Sequence, residues 1–185
     1  MPPLISLLRG INVSGHNMIK MAELKALYES LGFKNVTTYI QSGNVVFETD
    51  QDRPDKLEAS IERAIEKKYG FPVTVIVREP AELRRIISGN PFLASKNVDE
   101  IRLYVTFLRS KPPAALLKSI QTVAAKSPDE YAINGREIYL HCPNGYGKTM
   151  LSNTFFEKQL KIVATTRNWK TVNTLYAIAV PEKTM

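Results

Sequence analysis

"VTTYIQSGNVVFE", residues 36–48, holds two runs of β-branched and aromatic residues around Ser42-Gly43-Asn44. Such residues suit a pleated, half-buried surface, and the Ser-Gly-Asn between them is turn chemistry, so the stretch predicts a β-hairpin. Its flanks decide what kind of hairpin it is. Upstream, "LISLL" (4–8) reads as a short buried strand, and "IKMAELKALYESLGF" (19–33) places Met21, Leu24, Leu27, Tyr28 and Leu31 at helical spacing before Gly32. Downstream, "DKLEASIERAIEKKYG" (55–70) is a second amphipathic helix, and "PVTVIV" (72–77) is a fourth strand. The order is βαββαβ.

That order is the ferredoxin-like split-βαβ plan, whose sheet is antiparallel. In it the first and second strands point the same way with the third between them. The end of the first strand and the hairpin therefore share one sheet end, and the loop from Arg9 to Asn17 is predicted to face Ser42-Gly43-Asn44.

The rest of the chain repeats the pattern. "REPAELRRIISGNPF" (78–92) predicts one short helix that breaks at Asn90-Pro91. A strand "IRLYVTFLR" (101–109), a helix within "PAALLKSIQTVAAK" (113–126) and a hairpin "YAINGREIYLH" (131–141) with its turn at Asn134-Gly135 follow. Then come a helix in "LSNTFFEKQLKIV" (151–163), the short "ATTR" (164–167) and a last helix within "NWKTVNTLYAIA" (168–179). The expected class is α+β, with two tandem ferredoxin-like subdomains, 1–79 and 101–185, joined by a connector at 80–100. In the second, the final strand is shortened or replaced by helix, and an extra helix ends the chain.

Composition bounds the function. The 185 residues are 44% hydrophobic and 23% charged, near the averages for folded soluble domains. Apolar runs such as "LYVTFL" and "LYAIAV" are far short of the roughly 20 residues a membrane span needs, and "MPPLISLLRG" has no basic stretch before its apolar one. The single cysteine, Cys142, cannot form an internal disulfide and suits a reducing compartment, so the expected location is the cytoplasm. Residues 1–90 carry 12 Lys/Arg against 11 Asp/Glu, whereas residues 91–185 carry 13 against 7. The basic excess lies in the second half, where it favours phosphate-bearing partners or serves as a solvated surface.

"LLRGINVSGHN" (7–17) has the glycine spacing of a phosphate-binding loop, but His16 and Asn17 stand where Lys and Ser/Thr would pair with phosphate and magnesium. A nucleoside-triphosphatase loop is excluded, since the antiparallel plan also lacks the parallel sheet and metal-binding carboxylate such enzymes need. Two readings remain open: amides and the polar groups of Arg9, Asn12, Ser14 and Asn17 presented to an anion at a helix start, or tight turns at Gly10 and Gly15 with Asn17 as a helix cap. "PNGYGKTML" (143–151) offers Lys148 and Thr149 to a phosphate, or is a glycine turn with Thr149 or Ser152 as cap. In "TTRNWKTVNTLY" (165–176), Thr165 to Asn168 gather at a predicted helix start beside Trp169, the only tryptophan. Arg167 with an adjacent aromatic can hold a phosphate and a base together, while a tryptophan at helical spacing also suits a core. Counted along an intervening helix, "GYGKT" and "TTRN" stand roughly 16 Å apart, too far for one small phosphate.

Enzyme chemistry is poorly supplied. With only His16 and His141 and one cysteine, no structural-zinc set can be written, and no cofactor is implied. His141 and Cys142, as strand neighbours, point to opposite faces. Ser42 lacks the surroundings of a nucleophile elbow. The acids of residues 55–68 read as a solvated helix face, and no acid–base couple stands out.

The stretches "LLRGINVSGHNMIKMAELKALYESLGFKNVTTYIQSGNVVF", "NPF", "YLHCPNGYGKTMLS" and "ATTRNWKTVNTLYAIA" together resemble the domain-of-unknown-function 1697 family of uncharacterised bacterial proteins, nearly from end to end. The resemblance implies a family pattern at Arg9, Gly10, Asn12, Ser42, Gly43, Asn44, Gly145, Thr166, Arg167, Asn168 and Trp169, and no activity. The chain departs from that pattern at Ser14, usually Gly, at His16, often Lys, and at Thr149-Met150, often Ser-Lys. Two positive charges are thereby lost. The expectation is an anion-binding module for a nucleotide, sugar phosphate or nucleic acid, with Arg9, Gly10, Asn12, Ser42, Asn44, Lys148, Thr166, Arg167, Asn168 and Trp169 as ligand-binding candidates. The alternative is a structural or protein-interaction domain whose Gly, Asn and Thr residues are turns and caps.

Overall fold

The structure is a computed structural model that describes residues 1–51, 53–94 and 98–181. The elements run β1 (Pro3–Leu8), α1 (Met21–Ser30), β2 (Lys34–Tyr39), β3 (Asn44–Glu48), α2 (Pro54–Tyr69), β4 (Val75–Arg78) and α3 (Pro80–Ser88). They continue as β5 (Leu103–Leu108), α4 (Leu117–Ala124), β6 (Glu130–Asn134), β7 (Glu137–His141), α5 (Asn153–Leu160), β8 (Ala164–Asn168) and α6 (Trp169–Ala179). The strands form two four-stranded antiparallel sheets, ordered β2-β3-β1-β4 and β6-β7-β5-β8, so the fold is α+β. Two compact units result, residues 1–84 with 174–185, and residues 85–173.

In the first unit, Leu24, Leu27 and Tyr28 of α1 and Leu57, Ile61 and Ile65 of α2 bury one helix face each against Leu4, Leu8, Val45, Phe47, Val75 and Val77. The alternate strand residues Ile5, Leu7, Val46 and Ile76, on the other face, are also buried, as is Arg78. Within the core the Ser6 and Tyr28 hydroxyls lie 2.8 Å apart, and burial pushes the Tyr28 hydroxyl well above its ordinary pKa.

The α2 acids do more than face solvent. Glu58 Oε1 accepts from Val77 N at 2.8 Å and Glu62 Oε1 from Val75 N at 2.9 Å. β4 is an edge strand, and these carboxylates occupy donors that would otherwise template pairing with another chain. The charge pattern along the helix carried no sign of this, because the acceptor is set by how the helix lies across the sheet.

The second unit repeats the arrangement, with Leu108, Ile120, Ile138, Leu140, Phe156 and Leu160 in one cluster. Here the sequence expectation is corrected at two places. "ATTRN" is neither shortened nor helical but a strand that pairs with β5 from Tyr104–Asn168 to Leu108–Ala164. The second hairpin turns at Gly135-Arg136, one residue later than expected, since Asn134 pairs with Glu137. Gly135, at φ +63°, takes the first central position, the place of glycine in a type II′ turn.

The two sheets share one register. Ile5 pairs with Arg78 and Leu8 with Val75, while Val105 pairs with Arg167 and Leu108 with Ala164. Pro3–Glu48 and Leu7–Asn44 correspond likewise to Leu103–His141 and Phe107–Glu137. The edge device recurs too, for Glu157 Oε1 of α5 accepts from Ala164 N at 2.9 Å.

Candidate functional site

The loop after β1 meets the hairpin, as the strand order requires. Leu8 N donates to Gly43 O at 2.8 Å, and Asn12 Nδ2 donates to Gln41 O at 2.8 Å. The same Asn12 amide donates to Ile19 O at 2.9 Å, and Asn12 Oδ1 accepts from Ile19 N at 2.8 Å. Asn12 is therefore a staple that closes its own loop onto the hairpin. Asn44 acts in the same way, donating to Tyr39 O and Ser42 Oγ at 2.9 and 3.0 Å.

Left-handed backbone runs through this loop at Gly10, Asn12, Ser14, Gly15 and Asn17. Ser14 and Gly15 are the central pair of a turn closed by His16 N to Val13 O at 2.9 Å, with Asn12 N to Asn17 O at 3.1 Å behind it. Val13, Ser14 and Gly15 are exposed residues, and Val13 pairs with His16 in an isolated antiparallel bridge that closes the tip of the loop. Arg9, half-buried, enters the loop with its N–H on Thr74 O. Asn17 is not a helix cap: its Nδ2 donates to Gly10 O at 3.1 Å, and α1 begins only at Met21, after Lys20. Residues 18–20 separate loop from helix, so the helix dipole does not act on the turn at Ser14-Gly15.

In the second unit the expected separation of "GYGKT" from "TTRN" is overturned. The Tyr146 hydroxyl donates to Thr166 Oγ1 at 3.1 Å and accepts from Asn153 N at 3.0 Å. Thr166 Oγ1 in turn donates to Asn153 Oδ1 at 2.5 Å and lies 2.7 Å from Thr106 Oγ1. Helix length alone does not set the distance, because β8 runs back toward the start of α5 at about 3.3 Å per residue. The two motifs form one hydroxyl network.

Arg167 and Trp169 are buried, at 6% and 4% exposure. Arg167, which sits in β8 instead of at a helix start, donates to Thr165 Oγ1 at 2.7 Å and Thr166 O at 3.0 Å. Burial pushes its pKa down to about 10. Asn168 caps α6, accepting from Thr171 N at 2.8 Å, and Ser152 caps α5 through Phe155 N. Lys148 is exposed in the short turn before α5. Thr149 donates to the buried Asp129 at 2.6 Å, and burial pushes the neighbouring Cys142 thiol up to about 11.

One couple went unseen in the sequence. Glu130 and His141 pair across β6 and β7, with His141 Nδ1 2.9 Å from Glu130 Oε1. An ionised carboxylate only accepts, so in this contact the ring donates through Nδ1. A turn at Gly135-Arg136 gives this pair by counting, whereas the expected turn at Asn134-Gly135 sets Glu130 opposite Tyr139. The register also makes Arg109 the counterpart of Arg9: Arg109 N donates to Val163 O at 3.0 Å as Arg9 N does to Thr74 O at 2.9 Å. The shared "LR" at the end of each strand was the available signal.

Elsewhere in the first unit, a cleft of about 770 Å³ lined by Pro2, Pro3, Leu4, Pro54, Pro80 and Val180 contains none of the candidates. Among the described residues, no group of three or more His, Cys, Asp and Glu is placed to hold a metal ion. Among them, too, no helix is long and apolar enough to cross a membrane.

Residues 1–139, which span the whole first sheet and the loop–hairpin junction, match the model of a family described as "Protein of unknown function (DUF1697)". The chain belongs to this family. No curated protein matches the chain. Among solved structures, this DUF1697 member is similar to the conserved bacterial protein SP0830 from Streptococcus pneumoniae, with a TM-score of 0.67 and 20% identity. That likeness covers 96% of this chain and 98% of the other, and at such identity it speaks for the fold alone.

Proposed function

We propose that this protein is an anion-binding module for a phosphate-bearing ligand, whether nucleotide, sugar phosphate or nucleic acid. The observation that carries the reading is the loop from Arg9 to Asn17, held against the hairpin by Asn12, with its tip at Ser14-Gly15 exposed in left-handed backbone and an arginine at its entrance. Successive amides in strained, left-handed backbone form concavities suited to anions, and strain of this kind clusters at binding sites. In the second unit Lys148, exposed beside the Tyr146–Thr166 network, is the cation offered to a ligand there. Arg167, Thr166 and Trp169 support that region from within and Asn168 caps α6, while in the first unit Gly10, Ser42 and Asn44 shape the loop–hairpin junction.

The repeated element and strand orders favour reading each sheet with its helices as a ferredoxin-like subdomain, 1–79 and 101–185 with a connector at 80–100. The lone cysteine favours the cytoplasm.

Thermal shift and Trp169 fluorescence against a panel of nucleotides, sugar phosphates and short oligonucleotides test the function. Binding that Arg9→Ala or Lys148→Ala weakens about tenfold, with melting unchanged, supports it; equal affinity of both variants and wild type for a confirmed ligand overturns the site. A second reading, a structural or interaction domain, is favoured by the full internal use of Asn12 and Asn44. On that reading nothing in the panel binds, and Asn12→Ala chiefly lowers the melting temperature.

A further inference from the structure

We propose that the end of the second unit's sheet that carries Arg109 and Arg136 is a basic surface for the phosphodiester backbone of a single-stranded nucleic acid. This rests on the phosphate-binding reading above and names the ligand class for a site outside the candidates discussed there. Two backbone bonds bring three chain segments together at that end: Leu108 N to Arg136 O at 2.8 Å and Arg109 N to Val163 O at 3.0 Å. Each segment brings cations. The exit of β5 supplies Arg109 and Lys111, the hairpin turn supplies Arg136, and the α5–β8 turn supplies Lys161, whose left-handed backbone (φ +57°) reverses the chain there. Lys111 and Lys161 are exposed, and Arg109 and Arg136 are half-buried.

The acids nearby are fewer. Glu137 follows Arg136, and Glu157 accepts from Ala164 N while keeping its charge, so four cations stand against two carboxylates. β7, β5 and β8 are neighbours in the sheet, so the cations are spread over roughly 10 Å at about 4.8 Å per strand. That is wider than one small phosphate and is a span that successive phosphates along a strand can cover. The equivalent end of the first sheet has the same two bonds, Leu8 N to Gly43 O and Arg9 N to Thr74 O, but its hairpin and turn bring no cation. The basic excess of the second half is thus placed, in part, at one end of one sheet.

The experiment is titration of the full chain with a labelled short single-stranded oligonucleotide across a salt series, beside the small-phosphate panel. Wild type is expected to show log affinity falling linearly with log salt. Combined Arg109→Ala, Lys111→Ala, Arg136→Ala and Lys161→Ala should weaken binding about tenfold or more and flatten the slope, while Lys25→Ala with Lys67→Ala changes neither. If the fourfold variant does not fold, Lys111→Ala with Lys161→Ala, both exposed, should still flatten the slope by about one to two. Unchanged affinity and slope in a folded variant overturn the proposal. Binding of small phosphates without binding of the oligonucleotide overturns it while leaving the phosphate-binding reading intact, and failure of both ligand classes overturns both.

Discussion

Gly43 and Ile11 stand so close that a Cβ built on Gly43 would lie 2.7 Å from Ile11 Cδ1 and 2.8 Å from Leu8 Cβ. The hairpin and the loop after β1 touch at a point where no side chain fits. Gly43 also has φ +79°, so Gly43→Ala adds left-handed strain of about 1–2 kcal/mol to overpacking of about 1–3 kcal/mol. Gly10, at φ +70° with open space around it, carries only the first cost. Urea unfolding should therefore rank Gly43→Ala about 2–5 kcal/mol below wild type and Gly10→Ala about 1–2; equal losses would mean that the close approach is relieved by movement of the loop.

Thr166 Oγ1 is shared by Tyr146, Asn153 and Thr106, so Thr166→Val keeps its shape and deprives three groups of a partner. A buried group left unsatisfied costs about 1–3 kcal/mol. A loss of about 2–4 kcal/mol is expected, with strong non-additivity between Thr166→Val and Tyr146→Phe in a double-mutant cycle. Additive losses would show that the hydroxyls are not one network.

Glu58 is 7% exposed and bonded to an edge-strand amide, whereas Glu66 on the same helix is exposed. Glu58→Ala should cost about 1.5–3 kcal/mol and Glu66→Ala less than about 0.5. The former should also promote association at high concentration, because it uncovers an edge donor. Light scattering of the two variants at equal fraction folded separates these effects.

The Cys142 thiol has an ordinary pKa of 9.0 and is raised by burial to about 11 in the fold. A raised acid favours the protonated folded state, so its contribution is complete below pH 9 and is lost as pH climbs toward 11, on the order of 2–3 kcal/mol in all. Tyr139, raised to about 12, adds a similar decline that starts higher. Stability of wild type should fall more steeply between pH 9 and 11 than that of Cys142→Ala, and Cys142 should resist alkylation at neutral pH until the chain unfolds. Rapid alkylation of the folded protein would contradict the burial.

How much of this was written in the chain varies by element. Residues 36–48 and their flanking helices announced themselves through periodicity, and the meeting of loop and hairpin followed from strand order alone. β8 did not, because Ala164-Thr165-Thr166-Arg167-Asn168 has no apolar alternation; its strand character comes from pairing with β5 and from the Glu157 carboxylate on its edge. The Glu130–His141 couple depended on a one-residue choice of turn, which composition does not make. Arg167 looked like a surface anchor since sequence gives no depth, and only the strand's alternation puts it on a buried face.

The common register of the two sheets has a kinetic side. β4 and β8 meet β1 and β5 at the same offsets, so during folding each edge strand finds a geometrically acceptable slot in the wrong half or in a second chain. Only side chains discriminate, Val-Ile-Val-Arg against Ala-Thr-Thr-Arg-Asn. Strand exchange of this sort is the characteristic misassembly of duplicated chains. Refolding yield should consequently fall with concentration sooner than a chain of 185 unrelated residues would lead one to expect, with exchanged β4 and β8 as the trapped species.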